Sequence, residues 1–153
     1  MMSTRLRRRA LAAVLLIQAF ALPAFASLGG NLGSISDDQL KMKGELRTTM
    51  GTRFTVHEIT TAQGTLVREY AAPSGVVFAV SWNGPQMPDL RQTLGSYFPQ
   101  FLAAPRPAHP NHAHFAINQS NLIVQSSAHM RSYSGRAYDP TLLPADVSAT
   151  DIQ

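Results

Sequence analysis

Three histidines fall close together in His109-Pro110-Asn111-His112-Ala113-His114. Imidazole is a good ligand for zinc and copper. On an extended backbone, His112 and His114 share a side and can share an ion. His109, His112 and His114 are therefore the candidate metal ligands, and zinc or copper is the cofactor they would take; no other cofactor is expected. A closed zinc site takes four ligands held by outer partners, and this spacing fits no zinc motif. The competing reading is a polar, proline-rich loop whose histidines hold no ion.

Other residues with chemical potential are scattered. His129-Met130 and the isolated Met42, Met50 and Met87 lack the close methionine spacing of a copper-handling run. Gap filling in a core explains such methionines. His57-Glu58 lacks a second histidine four residues on, and neighbours on a strand point to opposite faces. No Gly-x-Ser-x-Gly, Ser-x-x-Lys or His-Glu-x-x-His occurs. Glu58 and Glu69 read as exposed strand carboxylates. Arg131 and Arg136 flank Tyr133, where they can pair with Asp89 or Asp139 or make a small anion patch. Trp82 reads as a core aromatic. No catalytic residue is assigned, and the chain reads as a non-enzyme.

The elements that would position these residues follow from periodicity. Residues 27–52 read as a flexible, glycine-rich lead, with a short helix started by Ser36 and Gln39. Residues 53–140 read as the α+β domain. Runs at Arg53 to Thr61, Thr65 to Ala71 and Val76 to Trp82 are β-branched and aromatic, with turns at Ala62-Gln63-Gly64 and Pro73-Ser74-Gly75. In the third run, strict alternation sets Val76, Phe78, Val80 and Trp82 on one face and Val77, Ala79 and Ser81 on the other. Leu90, Leu94, Tyr97, Phe98, Phe101 and Leu102 then form one stripe of an amphipathic helix, capped by Asp89 and interrupted by Pro99. Further strands are expected at Phe115 to Ile117, Leu122 to Ser126 and His129 to Tyr138, the last broken at Gly135. The expectation is an α+β fold, an antiparallel sheet of five to six strands packed by one main helix. Residues 141–153, with Pro144, read as an extended tail.

Residues 1–26 have the layout of a cleavable signal peptide: Arg5, Arg7, Arg8 and Arg9, an apolar run from Ala10 to Leu22, then Ala24-Phe25-Ala26. The run is shorter than the roughly 20 residues of a spanning helix, which argues against an uncleaved anchor. Either the general secretory or the twin-arginine route accommodates these arginines. Four of the 13 basic residues lie in this leader, which leaves nine against nine acidic residues. The remainder is neutral, so no nucleic-acid partner is expected. It has no cysteine, which excludes disulfides, thiol chemistry and a lipid on an N-terminal cysteine. No second long apolar run follows, so no transmembrane segment is expected after cleavage.

Several segments resemble a family of small exported proteobacterial proteins catalogued only as a domain of unknown function. They are Gly75-Val76-Val77-Phe78-Ala79-Val80-Ser81-Trp82-Asn83-Gly84-Pro85, Pro88-Asp89-Leu90, Leu94-Gly95-Ser96-Tyr97-Phe98, His129-Met130-Arg131, Gly135-Arg136-Ala137-Tyr138 and Leu143-Pro144. The resemblance implies a bacterial envelope or secreted protein and assigns no site residue. The expectation is a soluble periplasmic or secreted binding or accessory module, its partner an unidentified envelope protein. The alternatives are a periplasmic metal-binding protein and an enzyme of unrecognised type.

Overall fold

A computed structural model describes residues 27–105 and 114–153. The expected signal peptide, residues 1–26, lies outside the described residues. Helix α1 (Leu32–Met42) leads into four strands, β1 (Glu45–Met50), β2 (Thr55–Thr60), β3 (Leu66–Ala71) and β4 (Val77–Gly84). A helical segment follows: α2 (Leu90–Leu94), a 3-10 turn (Gly95–Tyr97) and α3 (Phe98–Ala103). Strands β5 (His114–Gln119), β6 (Leu122–His129) and β7 (Ser132–Tyr138) complete the sheet, and a 3-10 turn (Ala149–Asp151) lies near the end. The strands form one antiparallel sheet in the order β1-β2-β3-β4-β7-β6-β5. The two meanders meet at β4 and β7, which places the apolar Val77–Trp82 run at the centre of the fold.

The sheet has seven strands rather than five to six. The additional strand is β1, an edge strand with mostly exposed side chains, so no buried face marked it in the sequence. Strand β7 runs unbroken through Gly135. The tight hairpin between β6 and β7 is made by Met130 and Arg131, both at positive φ (46° and 65°). That is the backbone of the favoured two-residue hairpin turn.

Strand β4 departs from strict alternation. Its pairing to β3 skips Phe78: Ala71 faces Val77 and Tyr70 faces Ala79. This bulge puts Val77 with Val80 and Trp82 under the helices, and Phe78 with Ala79 on the opposite face. One inserted residue thus reverses the expected faces of the first half of the strand.

Both faces are covered. Leu28, Ile35, Leu94 and Phe101, from the lead and the helices, pack on Val67, Val80, Trp82, Leu122 and Val124. On the second face, Val147 and Ile152 close over Tyr70, Phe78 and Tyr138. The main helix breaks at Gly95 (φ 49°), four residues before Pro99. Pro99 sits in the first turn of α3, where its missing N–H has no helical partner to lose. The tighter 3-10 turn shifts the phase of the stripe. As a result Phe101 is buried while Leu102 is 55% exposed.

Helix α1 starts at Leu32, ahead of Ser36, because Asn31 is the cap. Asn31 Oδ1 accepts from the N–H groups of Gly33 (3.0 Å) and Ser34 (3.3 Å). Asn31→Ala is expected to cost about 1 kcal/mol in urea denaturation. Among the described residues, no helix is long and apolar enough to cross a membrane.

Candidate functional site

The register of the sheet lays side chains in rows across the strands, and two rows on the second face form a groove. The first row reads Arg68, Ser81, Arg136, Gln125 and Ala116 across β3, β4, β7, β6 and β5. The second reads Leu66, Asn83, Ser134, Ser127 and His114. Ile152 and Gln153 wall one side, and the groove, open to solvent, has a volume of about 900 Å³. The five strands it crosses span roughly 19 Å at the usual strand spacing.

The groove is rich in hydrogen-bond donors. Arg68 Nε donates to Glu58 Oε1 (2.8 Å), and its Nη1 donates to the Gln153 carbonyl (2.9 Å). Arg136 Nε donates to Gln125 Oε1 (2.8 Å), and its Nη1 to the carbonyls of Ala149 and Ile152. The Nη2 group of each arginine is left without a partner among the described residues. The Gln153 carbonyl also accepts from the hydroxyls of Tyr70 (2.6 Å) and Ser81 (2.7 Å). Among the described residues, no Asp or Glu lines the groove. His114 and Ser127 face each other in register. Among the described residues, no hydrogen bond joins them and no third group orients the imidazole.

A second polar cluster lies on the helix side of the sheet. Asp38 of α1 and Glu69 of β3 are 0% and 1% exposed. Asp38 Oδ1 accepts from Gln92 Nε2 of α2 (2.8 Å). The two carboxyls lie close enough to perturb each other, and no donor among the described residues reaches Asp38 Oδ2 or Glu69 Oε2. Two buried carboxyls side by side do not both ionise, so one of them keeps its proton. Burial, reinforced by the neighbouring Asp38 charge, pushes Glu69 up to about 9, so Glu69 is the holder. Burial raises Asp38 as well, against the bond from Gln92. His57 stands beside Glu69 in register, with Nδ1 3.0 Å from Thr48 Oγ1. Burial lowers its pKa. Solvent does not reach the carboxyl pair, so it ties α1 and α2 to the sheet and offers no surface to a substrate.

The residues singled out from sequence scatter. His109 and His112 lie outside the described residues. His114 opens β5, exposed, at the far end of the groove. Among the described residues, no three His, Cys, Asp or Glu side chains group as a metal site. Arg131 sits exposed at the β6–β7 turn, apart from Arg136. Asp139 accepts from the Tyr97 hydroxyl (2.5 Å) and from Thr141 rather than from arginine. Glu58 pairs with Arg68, whereas Glu69 is buried and not an exposed strand carboxylate. The groove itself was not anticipated. Its signal is the two-residue alternation that puts Arg68, Ser134, Arg136 and Ser127 on the face opposite Val67, Ala137 and Val124.

The family described as Protein of unknown function (DUF2844) matches residues 24–152. No curated protein and no solved structure matches the chain.

Proposed function

We propose that this chain, which belongs to the family described as Protein of unknown function (DUF2844), is an exported binding module that holds a ligand in the cross-strand groove without transforming it. The observation that carries the reading is the groove's composition. It sets Arg68, Arg136, Asn83, Gln125, Ser134 and His114 along one concave surface, with no Asp or Glu side chain among the described lining residues. Its volume is that of a ligand pocket, and its floor is rigid sheet. The export half of the reading rests on the leader, from its arginines to Ala24-Phe25-Ala26.

Two measurements test it. The full chain, expressed in a bacterium, is expected in the periplasmic or culture fraction with an intact mass that begins at Ser27. An uncut chain retained in the cytoplasm overturns the export reading. Native mass spectrometry after incubation with an envelope extract is expected to show an added mass that Ser134→Phe abolishes, since the ring fills the groove floor. Melting curves confirm that the variant is folded. Retention of the same mass by that variant, or turnover of the ligand by the wild type, overturns the binding reading.

A further inference from the structure

We propose that the groove's ligand is an organic anion, its carboxylate or phosphate held between Arg68 and Arg136 and its other polar groups laid along Asn83, Ser134, Ser127 and His114. This rests on the groove being the binding site and goes on to name its ligand class.

Arg68 and Arg136 stand in one row, separated only by β4. Two strand spacings set their backbones roughly 10 Å apart; the Gln153 carbonyl, held by Arg68 Nη1 and Ser81 Oγ, takes part of that gap, and the anion sits beside it against the Nη2 groups. Each guanidinium already spends Nε and Nη1 on the protein, which fixes its plane. The unused Nη2 groups are therefore preorganised donors, and arginine's fork suits planar oxyanions. The nearby carboxylates are committed. Glu58 is engaged by Arg68 Nε, and Asp151 pairs with Arg53 at 3.1 Å. A cation in the groove meets two guanidinium groups, and no Asp or Glu side chain among the described residues lines it. Trp82, 2% exposed and packed under the helices, offers a sugar no stacking face, and a neutral ligand leaves the two guanidinium groups without an oxyanion.

The second row explains the remaining length. Asn83, Ser134, Ser127 and His114 are short or polar, and no hydrogen bond occupies their side chains among the described residues. They leave room for an elongated ligand and offer it hydroxyl, amide and imidazole partners. The anionic group meets the arginine row, and the rest of the molecule runs toward β5.

The test is an amide NMR titration of the protein with three probes: citrate, inorganic phosphate and maltotriose. Saturable shifts at Asn83, Ser127 and Ser134 are expected with citrate, phosphate or both, and added salt weakens them. The tighter of the two identifies the anionic group. Ser127→Asp, which puts a negative charge on the floor, is expected to weaken binding about tenfold or more. Ser127→Asn, similar in size and neutral, is expected to stay within about twofold of wild type. Groove shifts with maltotriose and none with either anion overturn the anionic class while leaving the binding module standing. No groove shift with any probe also overturns it, and the extract measurement with Ser134→Phe then decides separately whether the groove binds at all. Equal anion affinity in wild type and Ser127→Asp places the anion elsewhere and overturns the proposal.

Discussion

Replacing Glu69 by glutamine is expected to stabilise the protein at alkaline pH and to flatten its stability between about pH 7 and 9. Glu69 is held at about 9 in the fold, against an ordinary value of 4.5. Between those values the folded chain keeps a proton that the unfolded chain releases. The stability contributed by the protonated carboxyl is therefore complete below about pH 4.5 and is lost as pH rises toward 9. One pH unit inside that window costs about 1.4 kcal/mol for one fully linked proton. A glutamine side chain does not titrate, and its amide N–H can donate to Asp38 Oδ2 in place of the shared proton. The groups facing this site are Asp38, Lys41 and Asp37 of α1, Gln92 of α2 and His57 of β2. His57, lowered by burial, acts in the opposite sense, and its window lies below its ordinary 6.5. Measurements above pH 7 therefore isolate Glu69. Urea midpoints at pH 7, 8 and 9 should fall in the wild type and hold nearly level in Glu69→Gln. Parallel profiles would show that the carboxyl pair carries no proton. Glu69→Ala separates charge from packing: it leaves Asp38 Oδ2 unpaired beside a void and is expected to be less stable than Glu69→Gln throughout.

The carboxyl pair also marks where sequence reading stops. Alternation within β3 places Glu69 on the face of Val67, so the burial of a carboxylate at that position was legible in principle. What identifies Asp38 as its partner is the packing of α1, and α1 begins at an asparagine cap that glycine-rich surroundings obscured. Local pattern was enough for β2 to β4 and for the later strands, because each has its own apolar face and turn residues. It was not enough for β1, whose outward side chains carry no burial signal, or for the bulge at Phe78, which exists only through pairing with Tyr70 and Ala71. The groove failed for a related reason. Arg68 and Arg136 are far apart in the chain and fall in one row only because β7 pairs with β4. A near-neutral composition conceals a local surplus of donors when partners such as Glu58 are spent on single arginines. The histidine trio shows the converse. Closeness in sequence made it conspicuous, yet of the three only His114 falls in the described sheet, on an exposed edge.

Gly135→Ala is expected to be among the most damaging single-methyl changes in the chain. A Cβ at Gly135 would lie 2.4 Å from Trp82 Cζ2, 2.6 Å from Trp82 Cε2 and 2.6 Å from the Gln125 carbonyl oxygen. Neither obstacle can yield easily. The indole is buried among Val67, Val80, Leu94 and Phe101, and the carbonyl belongs to the backbone of β6, which pairs with β7. Overpacking a well-filled core costs typically about 1 to 3 kcal/mol, and two rigid neighbours put this case at about 3 kcal/mol. Gly64 supplies the contrast. It lies at φ 84°, and a Cβ there meets nothing within 4 Å. Gly64→Ala therefore carries only the left-handed backbone penalty, about 1 kcal/mol. The cause of the Gly135 effect can be isolated by pairing it with Trp82→Phe. The smaller ring costs stability alone, but it vacates the space that the new methyl needs, so the double variant should be more stable than the sum of the single losses predicts. A coupling of about 1 kcal/mol or more in a denaturation cycle would assign the requirement for glycine to the indole. Strict additivity would assign it to the Gln125 carbonyl and the β6–β7 ladder instead. Because Gly135 also lines the groove, a displaced β7 backbone should weaken ligand binding along with the fold, and the Trp82→Phe background should recover both together.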